Sequence, residues 1–248
     1  MKANRMYKDR LFKFVIENIP GLALELYNAL NGTTYTEEDG FEFNTLEDVI
    51  YLGMKNDVSF LVGCHLVLYE QQSTVNPNMP LRSFFYTAEL LKQSLEATGT
   101  WNRIYGSQLL KIPAPKCYVF YCGSSYREDT IELKLSDAFC VPSFGYEWTA
   151  TVINIGKGHS KKLLAMCREL SDYADFINMV TDGIAQSLSL QDSVDSAVEF
   201  FSKQEGAFGM LVKKNRRRVT NFILTEYDEE GVRKVFREEG LAEGRKQG

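Results

Sequence analysis

Apolar positions recur at roughly helical spacing through residues 5–30, at Leu11, Phe12, Val15, Ile16, Leu22, Leu26 and Leu30. Pro20 must fall in a break or in the first turn of a second helix, and Asn31-Gly32 closes that segment. Residues 33–45 are polar and loop-like. Three apolar runs follow, Asp48–Gly53, Asp57–Gly63 and His65–Gln72, each of strand length. Residues 73–80 (STVNPNMP) form a loop, and Pro80 can open a helix reaching about Ala97. KCYVFYCG (116–123) reads as a buried strand, and the β-branched stretch Glu147–Ile155 as another. The order helix, three strands, helix, strand, strand predicts a mixed α/β core.

The pattern changes after Gly158. Residues 160–204 predict two or three helices, followed by the basic run Lys213-Lys214-Asn215-Arg216-Arg217-Arg218. From Glu226 to Gly248 charge dominates, as in a frayed helix or a tail. The expected organisation is a core over residues 1–158 and a helical C-terminal region with a charged tail over 159–248.

The most informative segment is Asp57–Gln72. Two apolar strands flank Gly63-Cys64, and glycine in the first loop position suits a two-residue type II′ turn. That turn pairs Val62 with His65 and Ser59 with Leu68, and sets Asp57 opposite Glu70 on one face of the sheet. Gln72, two residues on, shares that face. Two facing carboxylates repel unless one is protonated or a cation lies between them. A hard divalent ion with oxygen ligands resolves the repulsion, and Mg²⁺ is the natural choice. The bland alternative stays open: Asp57 closes a turn, and Glu70 and Gln72 are ordinary strand residues.

Composition narrows the field. A net charge of −5 does not suggest a generally basic nucleic-acid binder, although the distribution of charge decides binding more than its sum. The five cysteines are odd in number, and MKANRMYKDR is charged with no apolar core after it. Reduced thiols and a cytoplasmic location are expected, with no membrane association. The spacing of Cys117 and Cys122 does not fit a zinc knuckle. No phosphate-binding loop of the GxxxxGK[ST] kind is present, which argues against an ATP motor.

The segment NDVSFLVGCHLVLYEQQSTVNPNMPLRSFFY (56–86) resembles the recombination-promoting nuclease/putative transposase family of the PD-(D/E)XK nuclease superfamily. DRLFKFV (9–15), KIPAPKCYVFYCG (111–123), ELKLSDAF (132–139) and the charged ending look like the same family. The resemblance implies a restriction-endonuclease-like fold, a mixed sheet flanked by helices, with a helical C-terminal appendage. It implies a DNA endonuclease that uses Mg²⁺, with Mn²⁺ as a substitute. Asp57 matches the first acid, Glu70 matches the second, and Gln72 stands where most of the superfamily has lysine. The Gln71 carbonyl joins Asp57 and Glu70 as a metal ligand.

Other residues enter as candidate substrate contacts. Arg82 and Tyr86 lie four apart and share a helix face, and Arg82 could hold a phosphate bidentately. The alternative is a surface arginine beside a core tyrosine. Asn78 belongs to a stiff polar loop that either touches DNA or only turns the chain. The resemblance places Asp9 near the site, where it would otherwise be a solvated helix charge. His65 is expected to face away from Asp57. A homodimer would suit double-strand cutting. DNA and RNA are not separated by any motif. The competing function is a catalytically idle nuclease fold that binds DNA or a protein partner.

Overall fold

The computed structural model describes residues 7–43, 58–143 and 145–224, with side chains from residue 10 onward. The chain divides into two compact units. One is Pro20–Ser171, and the other joins Met1–Ile19 to Asp172–Gly248. This is not the expected division at residue 158. The N-terminal helix belongs with the C-terminal helices, and the first 13 residues after 158 stay with the sheet.

The first unit is built on a six-stranded mixed sheet. Its strands are β1 (Glu42–Phe43), β2 (Val58–Val62), β3 (His65–Gln72), β4 (Ala114–Tyr121), β5 (Thr130–Lys134) and β6 (Thr149–Asn154). They lie in the order β1-β2-β3-β4-β6-β5. The β3, β4 and β6 trio is parallel, and β1, β2 and β5 add antiparallel strands at the two sides. β3 is buried along nearly its whole length because both of its faces are covered. On one face, Leu66 and Leu68 pack with Tyr86 and Leu90 of α3 (Met79–Ala97), and Met79 packs with Val119 and Val152. On the other face lies α2 (Leu22–Asn31), where the Tyr69 hydroxyl donates to the Ala23 carbonyl at 3.2 Å. Tyr27, Phe60, Tyr69 and Phe120 form a chain of edge-to-face rings there.

The hairpin turn is as expected. Gly63 has φ 53° and Cys64 is not left-handed, as a type II′ turn requires. Val62 pairs with His65, Ser59 with Leu68, and Val58 with Tyr69. Two short strands went unread. β1 lies within the loop-like 33–45 stretch, and β5 is an edge strand whose Thr130, Glu132 and Lys134 face solvent. Charge on an edge strand blocks further pairing, and it also masks the strand in the sequence. The expected strand Asp48–Gly53 lies outside the described residues. A short helix α4 (Lys161–Met166) follows β6 in this unit.

The second unit is helical. It holds α1 (Tyr7–Asn18), most of α5 (Arg168–Ala185), α6 (Leu190–Phe201), α7 (Ala207–Lys214) and a further helical stretch over 216–224. Phe176, Phe201 and Phe208 form an aromatic centre with ring centroids 5.4 to 6.0 Å apart. Among the described residues no helix is long and apolar enough to cross a membrane.

Candidate active site

β3 runs on for three residues, Glu70 to Gln72, past its last pairing with the described part of β2. Alternation along the strand turns Leu66, Leu68, Glu70 and Gln72 toward α3, and His65, Tyr69 and Gln71 toward α2. His65 accordingly lies against Tyr27 and Tyr35, on the face opposite Glu70. The strand therefore places one acid and one amide on a covered face near its carboxyl end.

Glu70 is 3% exposed. A carboxylate that deep needs a cation or protonation, because desolvation disfavours the bare charge. The first turns of α3 bring one. Arg82 Nη2 lies 3.6 Å from Glu70 Oε2, with the arginine side chain 27% exposed. Its orientation is fixed by neighbours on its own helix. Nη2 donates to the Tyr86 hydroxyl at 3.0 Å, and Nη1 reaches Met79 Sδ at 3.5 Å. The four-residue spacing of Arg82 and Tyr86 thus works as helical geometry demands. The guanidinium is a counter-ion to Glu70 first, and its fork is not wholly open to a phosphate.

A buried polar row that sequence reasoning missed lies under the same helix. The Trp148 indole N–H donates to Ser83 Oγ at 3.0 Å, and Ser83 Oγ donates to the Pro80 carbonyl at 3.1 Å. Cys117, beside Leu68 in register, has a thiol pushed up to about 11. Burial is the main cause, hydrogen bonds with Ser83 and Thr87 oppose it, and the charge of Glu70 adds to it. Such a thiol is inert at neutral pH. These residues gave no sequence signal, because Ser, Thr and Cys on a helix–sheet seam read as core.

The remaining candidates fall as follows. Asn78 stands at the start of α3, exposed, with its backbone N–H on Asn76 Oδ1 at 3.1 Å and its carbonyl receiving the Arg82 N–H. Gln72 is half-buried beside Tyr121 of β4, and its carbonyl accepts from the Cys122 N–H at 3.0 Å. The Gln71 side chain is fully buried on the face opposite Glu70. Asp57 lies outside the described residues, as does the side chain of Asp9. Among the described residues no three His, Cys, Asp or Glu side chains converge as a metal cluster. Of the expected metal ligands, the Glu70 carboxylate is described, and it is a hard oxygen donor of the kind Mg²⁺ takes.

No protein-family model matches this chain, and no curated protein or solved structure matches it either.

Proposed function

We propose that the chain is a metal-dependent DNA endonuclease of the PD-(D/E)XK type, with a restriction-endonuclease-like core, acting in recombination or transposition-like processes. The observation that carries this reading is the β2–β3 hairpin. Its register runs without slippage from Val62 and His65 to Val58 and Tyr69, and the next residues in the chain are Asp57 and Glu70. The buried Glu70, with Arg82 beside it, supports a site built around a carboxylate that needs positive charge.

In this reading Asp57, Glu70 and the Gln71 carbonyl would hold Mg²⁺ or Mn²⁺, which would supply Lewis acidity to a phosphate oxygen and acidity to a water. Gln72 orients the attacking water with its amide but adds no charge, where a lysine would add one. Arg82 then carries more of the electrostatic work at the phosphoryl group. Water oxygen bonds to phosphorus as the P–O3′ bond breaks, and the 3′ oxygen takes a proton. The ends are 5′-phosphate and 3′-hydroxyl.

Supercoiled plasmid incubated with the protein and Mg²⁺ should be nicked or linearised. EDTA should stop the reaction, and Asp57→Ala and Glu70→Ala should each abolish it in folded protein. A folded wild-type protein that cuts nothing with any divalent ion would leave the idle-scaffold reading.

A further inference from the structure

The parallel strands β3, β4 and β6 end side by side, Gln72 beside Tyr121 beside Asn154. The carboxyl ends of parallel strands are where open α/β sheets bind ligands. From there the chain enters two loops, residues 122–129 after β4 and 155–160 after β6. A dense set of polar bonds locks these loops together. Asn154 is fully buried, and its Nδ2 donates to the carbonyls of Tyr126 and Glu128 at 3.2 and 3.3 Å. Its Oδ1 accepts the Gly156 N–H at 3.0 Å, and its backbone N–H donates to the Asp129 carbonyl at 2.9 Å. Ser160, left-handed at φ 43°, donates from Oγ to the same carbonyl at 3.3 Å. His159 Nδ1 lies 2.9 Å from Asp129 Oδ1. Glycine is required at the crossing: a Cβ on Gly156 would sit 3.0 Å from the Gly123 carbonyl, and one on Gly123 2.8 Å from the Ser73 carbonyl.

Together with Lys161 and Lys162 in the first turn of α4, this pair of loops carries a net positive charge, opposite in sign to the chain as a whole. Arg127, Lys157, Lys161 and Lys162 are exposed, against the acids Glu128 and Asp129. The Asp129 carboxylate is held below its ordinary range by the His159 hydrogen bond first and by Lys161 among lesser causes, so part of its charge is already answered inside the loop. With Nδ1 engaged, Nε2 is the only ring nitrogen His159 has left for a ligand. No large apolar side chain in 122–129 or 155–162 is exposed, as a membrane-binding loop would need.

We infer that this loop pair, Arg127 with Lys157, His159 and Lys161, grips the phosphate backbone of nucleic acid beside the Glu70 site. The inference rests on the nuclease reading for its ligand. β6 stands two strand spacings from β3, about 10 Å. Lysines on phosphates fix position without reading sequence. The basic run 213–218 is the control surface. Arg216 is paired with Glu199 and bonded to Ser202, and Arg218 stacks over Phe14 at 4.7 Å.

The test uses the full chain carrying Glu70→Gln, without divalent ions, and the fluorescence anisotropy of a labelled 20-base-pair DNA duplex across a salt series. Lys157→Ala/Lys161→Ala should weaken binding at least about tenfold and lower the log–log salt slope by about 2, since each phosphate contact contributes about 0.9. Lys157→Arg/Lys161→Arg should restore both, and Lys213→Ala/Lys214→Ala should stay within about twofold. An RNA duplex run in parallel reports which backbone is preferred. Unchanged affinity and slope in the loop variant overturn the inference, as do equal losses in the control. Absence of wild-type binding to either duplex also overturns it, as does loop-dependent binding to phosphatidylserine vesicles in place of duplex. Loop-dependent binding in a protein that cuts no plasmid sinks the nuclease reading alone. Mg²⁺-dependent cutting with an indifferent loop sinks this inference alone.

Discussion

The two units bury polar groups in different ways. Among the described residues of the helical unit the buried polar side chains are Ser193 and Ser202; each bonds a carbonyl three or four residues back in the chain, and Ser202 also accepts from Arg216. In the sheet unit the set includes Glu70, Ser83, Thr87 and Asn154, and its bonds reach far along the chain. Trp148 reaches Ser83, Asn154 reaches Tyr126 and Glu128, and Arg82 reaches Glu70. A local bond satisfies a hydroxyl at little cost and fixes nothing else. A long-range bond between buried groups is costly to leave unmade, and it holds two segments in one geometry. The sheet unit therefore has more of its separate segments fixed against one another by buried polar bonds, and the helical unit is held mainly by its aromatic centre.

The sharpest way to break that contrast is Glu70→Gln. The proposed site predicts loss of plasmid cleavage by a factor of at least about one hundred, the scale of removing one electrostatic element from an active site. Stability should hold or rise, because the substitution removes a desolvated charge while Arg82 keeps Tyr86 and some solvent. Thermal melting and cleavage assays on one preparation check both. A large fall in Tm with cleavage retained would make Glu70 a packing residue.

The helical unit should answer the opposite way. Gly209 sits within α7, where alanine would ordinarily gain about 1 kcal/mol of helix propensity. Here an added Cβ would lie 2.3 Å from the Gln204 carbonyl and 3.0 Å from the Phe201 carbonyl, both backbone atoms. Overpacking against backbone costs about 1–3 kcal/mol and reverses the sign. Gly209→Ala should lower Tm by several degrees and leave cleavage per folded molecule unchanged. A rise in Tm would mean that the helix crossing is loose.

How far the sequence is legible follows the same division between local and long-range. The II′ turn at Gly63 sets its hairpin register residue by residue, so Val62 with His65 and Ser59 with Leu68 can be read without the structure. Pro80 marks the start of α3 to within one residue, because its missing N–H belongs in a first turn. β5 is harder to read: Thr-Ile-Glu-Leu-Lys does alternate, but only Ile131 and Leu133 mark its inner face. The grouping of α1 with α5, α6 and α7 leaves no local trace either, as it depends on which apolar faces meet. Asn154 looks like any polar residue ending a strand. Its role appears only once the strand order brings residues 126 and 128 to it.

Arg82→Met sharpens the reading of the site itself. Removing one partner of a fully buried ion pair costs about 3–5 kcal/mol. Arg82 is 27% exposed and solvent screens part of that, so about 1–2 kcal/mol is expected in EDTA. Adding Mg²⁺ should close most of the Tm gap to wild type, because the ion takes over the neutralising of Glu70. A gap that Mg²⁺ leaves untouched would mean that Arg82 stabilises through Met79 and Tyr86, and that Glu70 binds no ion.

The smallest effect concerns a charge the sheet unit carries to no visible advantage. The Glu25 carboxyl is raised above its ordinary value, by partial burial first and then by Glu169, while a hydrogen bond with the Cys167 thiol opposes the rise. A carboxyl whose pKa is raised on folding favours the folded state when protonated. That contribution is fully present below the unfolded value of 4.5 and is lost as pH rises through the folded value. At neutral pH the ionised group is thus a mild liability, and Glu25→Gln should raise Tm slightly at pH 7. The difference should shrink as pH falls and vanish below 4.5, where both side chains are neutral. Melting curves at several pH values read the sign directly. A lower Tm for the variant at pH 7 would show that the carboxylate's bond with Cys167 outweighs both its burial and its repulsion from Glu169.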